Sequence, residues 1–294
     1  MRSLARHIAY RATQSQNAMV RIATAAVAIS IAVAVITLSV IFGFKEQIST
    51  LISSTVSDIT ISNPYAMRQP ENHPITDNEK LREFLASVEE ISHIERYIIR
   101  SGVVRGEHGA VGIVLKGIGT DADTSLIAER LESGSMPRME EARRKEILLS
   151  KSVASQIGAT AGSRIELLIL DNDTPRREVF KVCGVYRSAL GETGAELTFT
   201  DIRNLQKLNN WGASDISGYA CQVYNSELSE QCAQLVNFRL MNEYESDENI
   251  YAVSAQEEHA TIFGWLETHD INATVILTIM MIVAIFNMVT AFLI

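Results

Sequence analysis

The sequence predicts an α+β domain, a mixed sheet with helices, inserted between two transmembrane helices with extended stalks. Three observations carry this. Two uncharged runs, Ile22 to Phe44 (23 residues) and Ile271 to Ile294 (24 residues), are each long enough to cross a bilayer. The 226 residues between them, Lys45 to Asp270, alternate between strand-like and helix-like hydrophobic periods. Charge is split between the segments: Arg2, Arg6, Arg11 and Arg21 precede the first run, and no Asp or Glu appears before Glu46. The positive-inside rule places that basic tail in the cytoplasm and the long middle region outside.

The boundaries follow. Residues 1–21 are a cytoplasmic segment, 22–44 a transmembrane helix, 45–56 a stalk, 57–253 the outside domain, 254–270 a second stalk and 271–294 a second transmembrane helix. A strand–helix–strand unit over 219–253 is a candidate small lobe. Residues 1–21 read equally well as an interfacial helix, with Leu4 and Ile8 on one face, or as topology-setting charge alone. The first apolar run is longer than a signal-peptide core, and no small-residue cleavage site precedes Lys45, so it reads as an uncleaved anchor. The middle region holds all 35 acids and 22 of the 26 Lys and Arg, a net charge of −13, which argues against nucleic-acid binding. Cys183, Cys221 and Cys232 are an odd number. Buried free thiols are the preferred reading, with a Cys221–Cys232 pair as the alternative.

Phe44, Ile48, Leu51, Ile52 and Thr55 recur at helical spacing beyond the first span, and His259, Ile262, Phe263 and Leu266 do so before the second. These stripes suggest a paired stalk. Ser254 with Glu257 fits a capping box, so one helix would start there and run unbroken into the span. Between the stalks, Ser57–Ser62 reads as a strand with Ile59 and Ile61 on one face, and residues 63–74 as a loop. Thr76 and Glu79 make a second capping box, opening a helix with Leu81, Phe84, Leu85 and Val88 inward. Arg96–Val104 and Val111–Ile118 are strands joined by the turn Gly-Glu-His-Gly. A short helix falls near Thr124–Leu131, before the basic run Arg143-Arg144-Lys145. Residues 146–170 read strand, helix, Gly turn, strand, and Arg177–Tyr186 alternates as a further strand. Thr200 or Asp201 caps a helix bearing Ile202, Leu205 and Leu208; Tyr219–Tyr224 is a strand; Ser226–Tyr244 is a helix with Leu228, Cys232, Leu235 and Leu240 inward; Ile250–Val253 is the last strand.

No phosphate loop, zinc-binding HExxH, nucleophile elbow or CxxC occurs, and the six histidines lack metal-ligand spacing. The chain is therefore not expected to be an enzyme, and no metal or cofactor is expected. Asn287 sits deep in the second uncharged run with Thr290 nearby. An amide in lipid is costly unless another helix bonds it, so these two residues read as helix-packing contacts that imply neighbouring helices.

The stretch from Trp265 to Ile294 resembles the second transmembrane helix of Lol-type lipoprotein-releasing ABC transporter permeases. The resemblance lies in Trp265, Leu266, Asp270, Asn272, Asn287, Met288, Val289, Thr290, Leu293 and Ile294, with Phe292 where a Leu is usual. Gly43-Phe44 resembles the family's Asn-Gly-Phe segment, with Phe42 in place of Asn. Residues 115–118, 147–167 and 180–192 resemble the domain shared with macrolide-exporter and FtsX-like permeases. The resemblance implies an inner-membrane, multi-pass subunit with a periplasmic central domain. It implies pairing with a second, identical or related permease subunit and with a cytoplasmic ATP-binding subunit. Stalk motion would then extract a lipoprotein cargo and pass it to a periplasmic carrier. Val40, Phe44, Ile48, Leu51, Ile52, Phe263 and Leu266 are the candidate acyl-chain contacts. The family has two further spans, so this chain is expected to be a fragment. In one branch the place of Leu168–Phe180 carries a longer, Pro-containing hook that recruits the carrier, and its shortness here points to the non-recruiting partner type. Two alternatives within the superfamily are a signalling permease that gates a cell-wall hydrolase and a macrolide-type exporter. A two-span sensor is the third.

Overall fold

The computed structural model describes residues 24–25, 28–29, 31–33, 35–41, 43, 57–67, 73–139, 142–171, 174–188, 197–244 and 248–293, with some side chains inside strands and helices left aside. The chain divides into two compact units, Leu51–His259 and the pair of segments Met1–Thr50 with Ala260–Ile294.

The larger unit begins with β1 (Ile59–Ser62), whose Ile59 and Ile61 are fully buried as the alternation requires. A 3-10 turn at Pro64–Met67 and the short β2 (Ile75–Thr76) follow. Helix α1 (Glu79–Ala86) buries Leu81 and Leu85, but its cap is Asn78, whose Oδ1 accepts from the Leu81 N–H at 2.7 Å. The expected Thr76 cap is not formed. Thr76 is held in β2 by Glu248, which accepts from both its N–H and its hydroxyl, the latter at 2.6 Å. The hairpin of β3 (Ile91–Arg105) and β4 (Ala110–Ile118) turns at Gly-Glu-His-Gly as read from sequence. Then come α2 (Ser125–Glu129), β5 (Leu131–Gly134), β6 (Glu146–Ser150), α3 (Lys151–Ile157), β7 (Arg164–Asp171) and β8 (Thr174–Tyr186). Gly158 ends α3 in the left-handed conformation, φ 69°, where a side chain is disfavoured. Next are β9 (Leu197–Asp201), α4 (Ile202–Leu208), capped by Asp201 through the Arg203 N–H, and the short β10 (Asp215–Ile216), which pairs with β2. The unit ends with β11 (Gly218–Val223), α5 (Ser229–Glu243) after a 3-10 turn, β12 (Tyr251–Ser254) and α6 (Ala255–Glu258).

Among the described residues, ten strands form one sheet. Six of them close on themselves: hydrogen-bonded neighbours lead from β3 through β4, β9, β6, β8 and β7 back to β3, with parallel pairing at β4·β9 and β6·β8. Inside this ring a Cβ on Gly102 would meet Leu115, Leu167 and Ile169 at 3.1–3.2 Å, so glycine leaves room for the strands to converge. The 15-residue β3 belongs to both parts of the sheet: its first half pairs with β11 and its last three residues with β7. Beyond β11 lie β1 and then β12 at the edge. The segment read as a candidate small lobe thus forms this end of the sheet, with β1 between β11 and β12 and α5 covering Ile59 and Ile61. Helix α5 turns Cys232, Ala233, Val236 and Leu240 inward, whereas Leu228 and Leu235, expected inside, are exposed.

In the smaller unit α7 runs without interruption from Ala260 to Leu293, 34 residues, through the polar-to-apolar boundary at Asp270–Ile271. The helix expected to start at Ser254 is in fact two helices. Ser254 does cap α6, accepting from the Glu257 N–H at 3.2 Å, but His259 leaves helical geometry at φ −113°, ψ 37° before α7 begins. Among the described residues no helix is long and apolar enough to cross a membrane. The segments read at 1–21 and 45–56 lie outside the described residues.

Candidate functional site: the root of the C-terminal helix

The strand that enters the larger unit and the strand that leaves it are neighbours. Ile59 of β1 pairs with Ser254 of β12, and the antiparallel register runs on to Ser62 and Tyr251. Residues paired across an antiparallel ladder stand about 5 Å apart. The chain therefore comes in and goes out at one place.

That place is densely tied. The Ala255 N–H donates to the Asp58 carbonyl at 2.9 Å, linking the first residue of α6 to the residue before β1. The Asp58 carboxylate accepts from the Val223 N–H at 2.9 Å, adding β11. Ser229 at the start of α5 donates its hydroxyl to Gln256 Oε1 at 2.8 Å. Asn237 in the middle of α5 donates to the Ala252 carbonyl at 2.7 Å and accepts from the Ala252 N–H at 2.8 Å, so its amide acts as a further strand on the free edge of β12. Ser254 and Ala252 are fully buried. These bonds tie the segment around α6 to β1, β11, β12 and α5. His259 keeps one helical bond, its N–H to the Ala255 carbonyl at 2.9 Å, and its own backbone leaves helical geometry.

Beside the root, on the face of β1 away from α5, lies a groove of about 140 Å³ lined by Thr60, Ser62, Tyr97, Ser217, Val253 and Glu258, with Ala66 and Ile99. Burial pushes the Tyr97 hydroxyl up, and the Glu258 charge adds to it, so Tyr97 stays a neutral donor there. A second polar cluster fixes the loop after β4. Arg96 grips Asp121 through Nε at 3.0 Å and Nη2 at 3.1 Å, its backbone N–H adds a bond at 2.8 Å, and its Nη1 reaches Asp77 at 3.1 Å. Tyr219 donates to the same Asp77 at 2.6 Å. Burial disfavours the Asp121 charge, but the Arg96 hydrogen bonds outweigh it and hold the carboxyl below the usual carboxylate range.

Residues 22–257 match the MacB-like periplasmic core domain, most of the chain's length. The chain belongs to the MacB-like periplasmic core domain family. As a MacB-like domain it is the periplasmic part of a membrane-embedded ABC-transporter permease of the MacB/FtsX type, which implies a cytoplasmic ATPase as partner. A comparison with curated proteins finds no match. Among solved structures, the chain is similar to the extracellular domain of the noncanonic ABC-type transporter YknZ from Gram-positive bacteria, at 13% identity and TM-score 0.44, over 67% of this chain and 99% of that one. It is also similar to the periplasmic region of MacB from Actinobacillus actinomycetemcomitans, at 16% identity and TM-score 0.44, over 72% and 95%.

Of the residues proposed from sequence, Val40 is helical and 65% exposed, and Phe263 is half-buried on α7. Phe44, Ile48, Leu51 and Ile52 lie outside the described residues. Leu266, Asn287 and Thr290 fall within α7, with side chains outside the described set. Where the sequence reads Leu168–Phe180 as short, β7 and β8 stay paired as far as Asp171 and Thr174. Sequence reasoning missed Asp58 and Asn237, and it placed His259 inside an unbroken stalk helix rather than at the end of α6. Asp58 and Asn237 are polar residues next to or within apolar runs, and their partners are distant in sequence, so no local signal marked them.

Proposed function

We propose that this chain is the lipoprotein-releasing type of MacB-like permease subunit, in which a partner's ATP hydrolysis moves two stalks and the stalks move the periplasmic domain. The observation that supports this best is the Ile59–Ser254 pairing, which sets the two ends of the domain side by side as a paired lever requires. The unbroken α7 supports it too, since a helix of 34 residues spans about 51 Å at ~1.5 Å per residue and can carry force between distant sites. The uncharged run at its end and the Trp265–Ile294 resemblance favour the inner membrane and the lipoprotein branch. In this reading Val40, Phe44, Ile48, Leu51 and Ile52 on the first stalk and Phe263 and Leu266 on the second contact the acyl chains. Asn287 and Thr290 bond neighbouring helices, and a second permease subunit completes the pair. The pairing of β7 with β8 as far as Asp171 and Thr174 favours the partner type that does not recruit the carrier. No ATP site is expected on this chain, so it works as a transmitter.

The test is photocrosslinking in intact cells with a photoreactive amino acid at Ile48, and at Arg11 as the cytoplasmic-side control. A lipoprotein adduct at Ile48 well above the Arg11 background is expected. Equal yields at both positions, or an adduct with a cell-wall hydrolase activator instead, would remove the lipoprotein assignment.

A further inference from the structure

The larger unit has a second, smaller hydrophobic cluster of buried Ile118, Leu148, Tyr186 and Phe199. Three sulfur side chains pack against it: Met136, Met139 and Cys183, each only partly buried. A β-bulge delivers the cysteine. Ile147 of β6 pairs with Val182 and Leu148 with Gly184, so Cys183 is the extra residue of β8. Val182 stays in the main core, and the bulge turns Cys183 to the small cluster, where its thiol donates to the Ile147 carbonyl at 3.2 Å. Two glycines let the methionine segment close on the bulge. A Cβ on Gly134, whose φ is 80°, would stand 2.2 Å from the Cys183 carbonyl oxygen, and one on Gly184 would stand 2.7 Å from that of Ser135. The Ser135 N–H donates to the Cys183 carbonyl at 2.9 Å, one residue before Met136. From the other side, Arg138 is pinned to Glu146 at the start of β6, through its backbone N–H at 3.0 Å and its Nη2 at 2.9 Å, and Met139 follows it. Strands β6 and β8 thus fix the backbone that carries all three sulfurs.

We propose that Met136, Met139 and Cys183 bind a single soft univalent cation, Cu(I) or Ag(I). Three points select this class. Thiolate and thioether sulfur prefer soft ions, whereas hard cations take oxygen ligands. Among the described residues no three His, Cys, Asp or Glu side chains come together to hold a metal, so the sulfur trio differs from the usual zinc and calcium sets. The third point is charge. The ion enters as the univalent species, the Cys183 thiol proton leaves to water, and no electron moves. The thiolate then cancels the ion's charge, and a neutral complex rests on the apolar wall of Leu148, Tyr186 and Phe199. A divalent ion on the same ligands would keep a net charge, which is costly to hold away from water. The inference uses only the larger unit and does not depend on the cargo.

Anaerobic titration of the full, reduced chain in detergent with Cu(I), against a chromogenic Cu(I) chelator, tests it. The parent should hold a single tightly bound Cu(I), with only sulfur neighbours in X-ray absorption at the copper edge. Cys183→Ser should abolish that binding, although the buried Cys221 and Cys232 remain. Met136→Leu combined with Met139→Leu conserves volume and so keeps the packing, and it should weaken binding by about 100-fold or more. Ag(I) should raise the Tm of the parent and leave that of Cys183→Ser unchanged, since only a folded state that binds the ion is stabilised by it. Affinity of the double Leu variant within about threefold of the parent, tight binding that survives Cys183→Ser, nitrogen or oxygen neighbours at the copper, or no Cu(I) held by the parent, each overturns the inference.

Discussion

Asn237→Ala is the substitution that probes the root of the lever most directly. The side-chain amide gives Ala252 both of its outward hydrogen bonds, at 2.7 and 2.8 Å, and Ala252 is fully buried on the edge strand that leads into α6. Truncation leaves one N–H and one C=O without partners, at about 1–3 kcal/mol each, and water reaching the strand edge offsets part of this, for a net loss of roughly 2–4 kcal/mol. For a domain of this size each kcal/mol moves Tm by about 2–4 °C, so the transition should fall by about 4–16 °C. Amide exchange over residues 248–254 should accelerate while that of β3 and β4 changes little. Glu230→Ala, an exposed position on the same helix, is the control and should stay within about 0.5 kcal/mol. A Tm for Asn237→Ala within about 2 °C of the parent, with unchanged exchange in β12, would show that α5 does not anchor the root.

Further expectations follow from the same geometry. The carboxyls of Asp121 and Glu146 sit below the usual range, held there by Arg96 and Arg138 against the effect of burial. Groups depressed in the folded state add stability that is full above the unfolded carboxylate value of about 4 and lost as pH falls through the folded values, so Tm should drop on acidification below about pH 4. Asp121→Asn should lower Tm at pH 7 and flatten that drop. The Cys232 thiol is pushed up to about 11 and Cys183 to about 12, burial being the first cause in both. Maleimide labelling at pH 8 should therefore run about 100-fold or more below the rate for a free thiol, and become rapid in denaturant. Gly158→Ala should destabilise by at least ~1–2 kcal/mol, read by thermal melting, because φ is 69° and the new Cβ would lie 2.5 Å from the His108 ring.

Elements whose partners lie close in sequence were legible. The β3–β4 hairpin, the strand–helix–Gly–strand run through Gly158 and the Asp201 cap all follow from local chemistry. Long-range pairing was not. The six-strand ring depends on β4·β9 and β6·β8, parallel contacts between distant segments that leave no periodic mark. Thr76 with Glu79 matched a capping box, but Glu248, 172 residues away, claims the Thr76 hydroxyl and Asn78 caps the helix instead. On α5 the inward stripe includes Ser229 and Ala233, small residues that an apolar count passes over, and this turned Leu228 and Leu235 outward. The break at His259 was not legible either: Asp58, the residue before β1, holds Ala255 through a contact that leaves no mark in residues 254–270 themselves. The proposed stalk contacts came from apolar spacing alone, and most of them lie outside the described residues.

The central claim is that α7 carries motion as a rigid rod, and an insertion within it tests this directly. Four residues, Gly-Ser-Gly-Ser, placed after Asp270 would interrupt the rod while leaving the larger unit, Leu51–His259, intact; seven alanines at the same place would lengthen it by about two turns without softening it. The quantity to measure is lipoprotein released per ATP hydrolysed in reconstituted vesicles. Transmission through a rigid helix predicts that the flexible insert abolishes release while ATP hydrolysis continues, and that the helical insert retains a measurable fraction. Undiminished release with the flexible insert would contradict it.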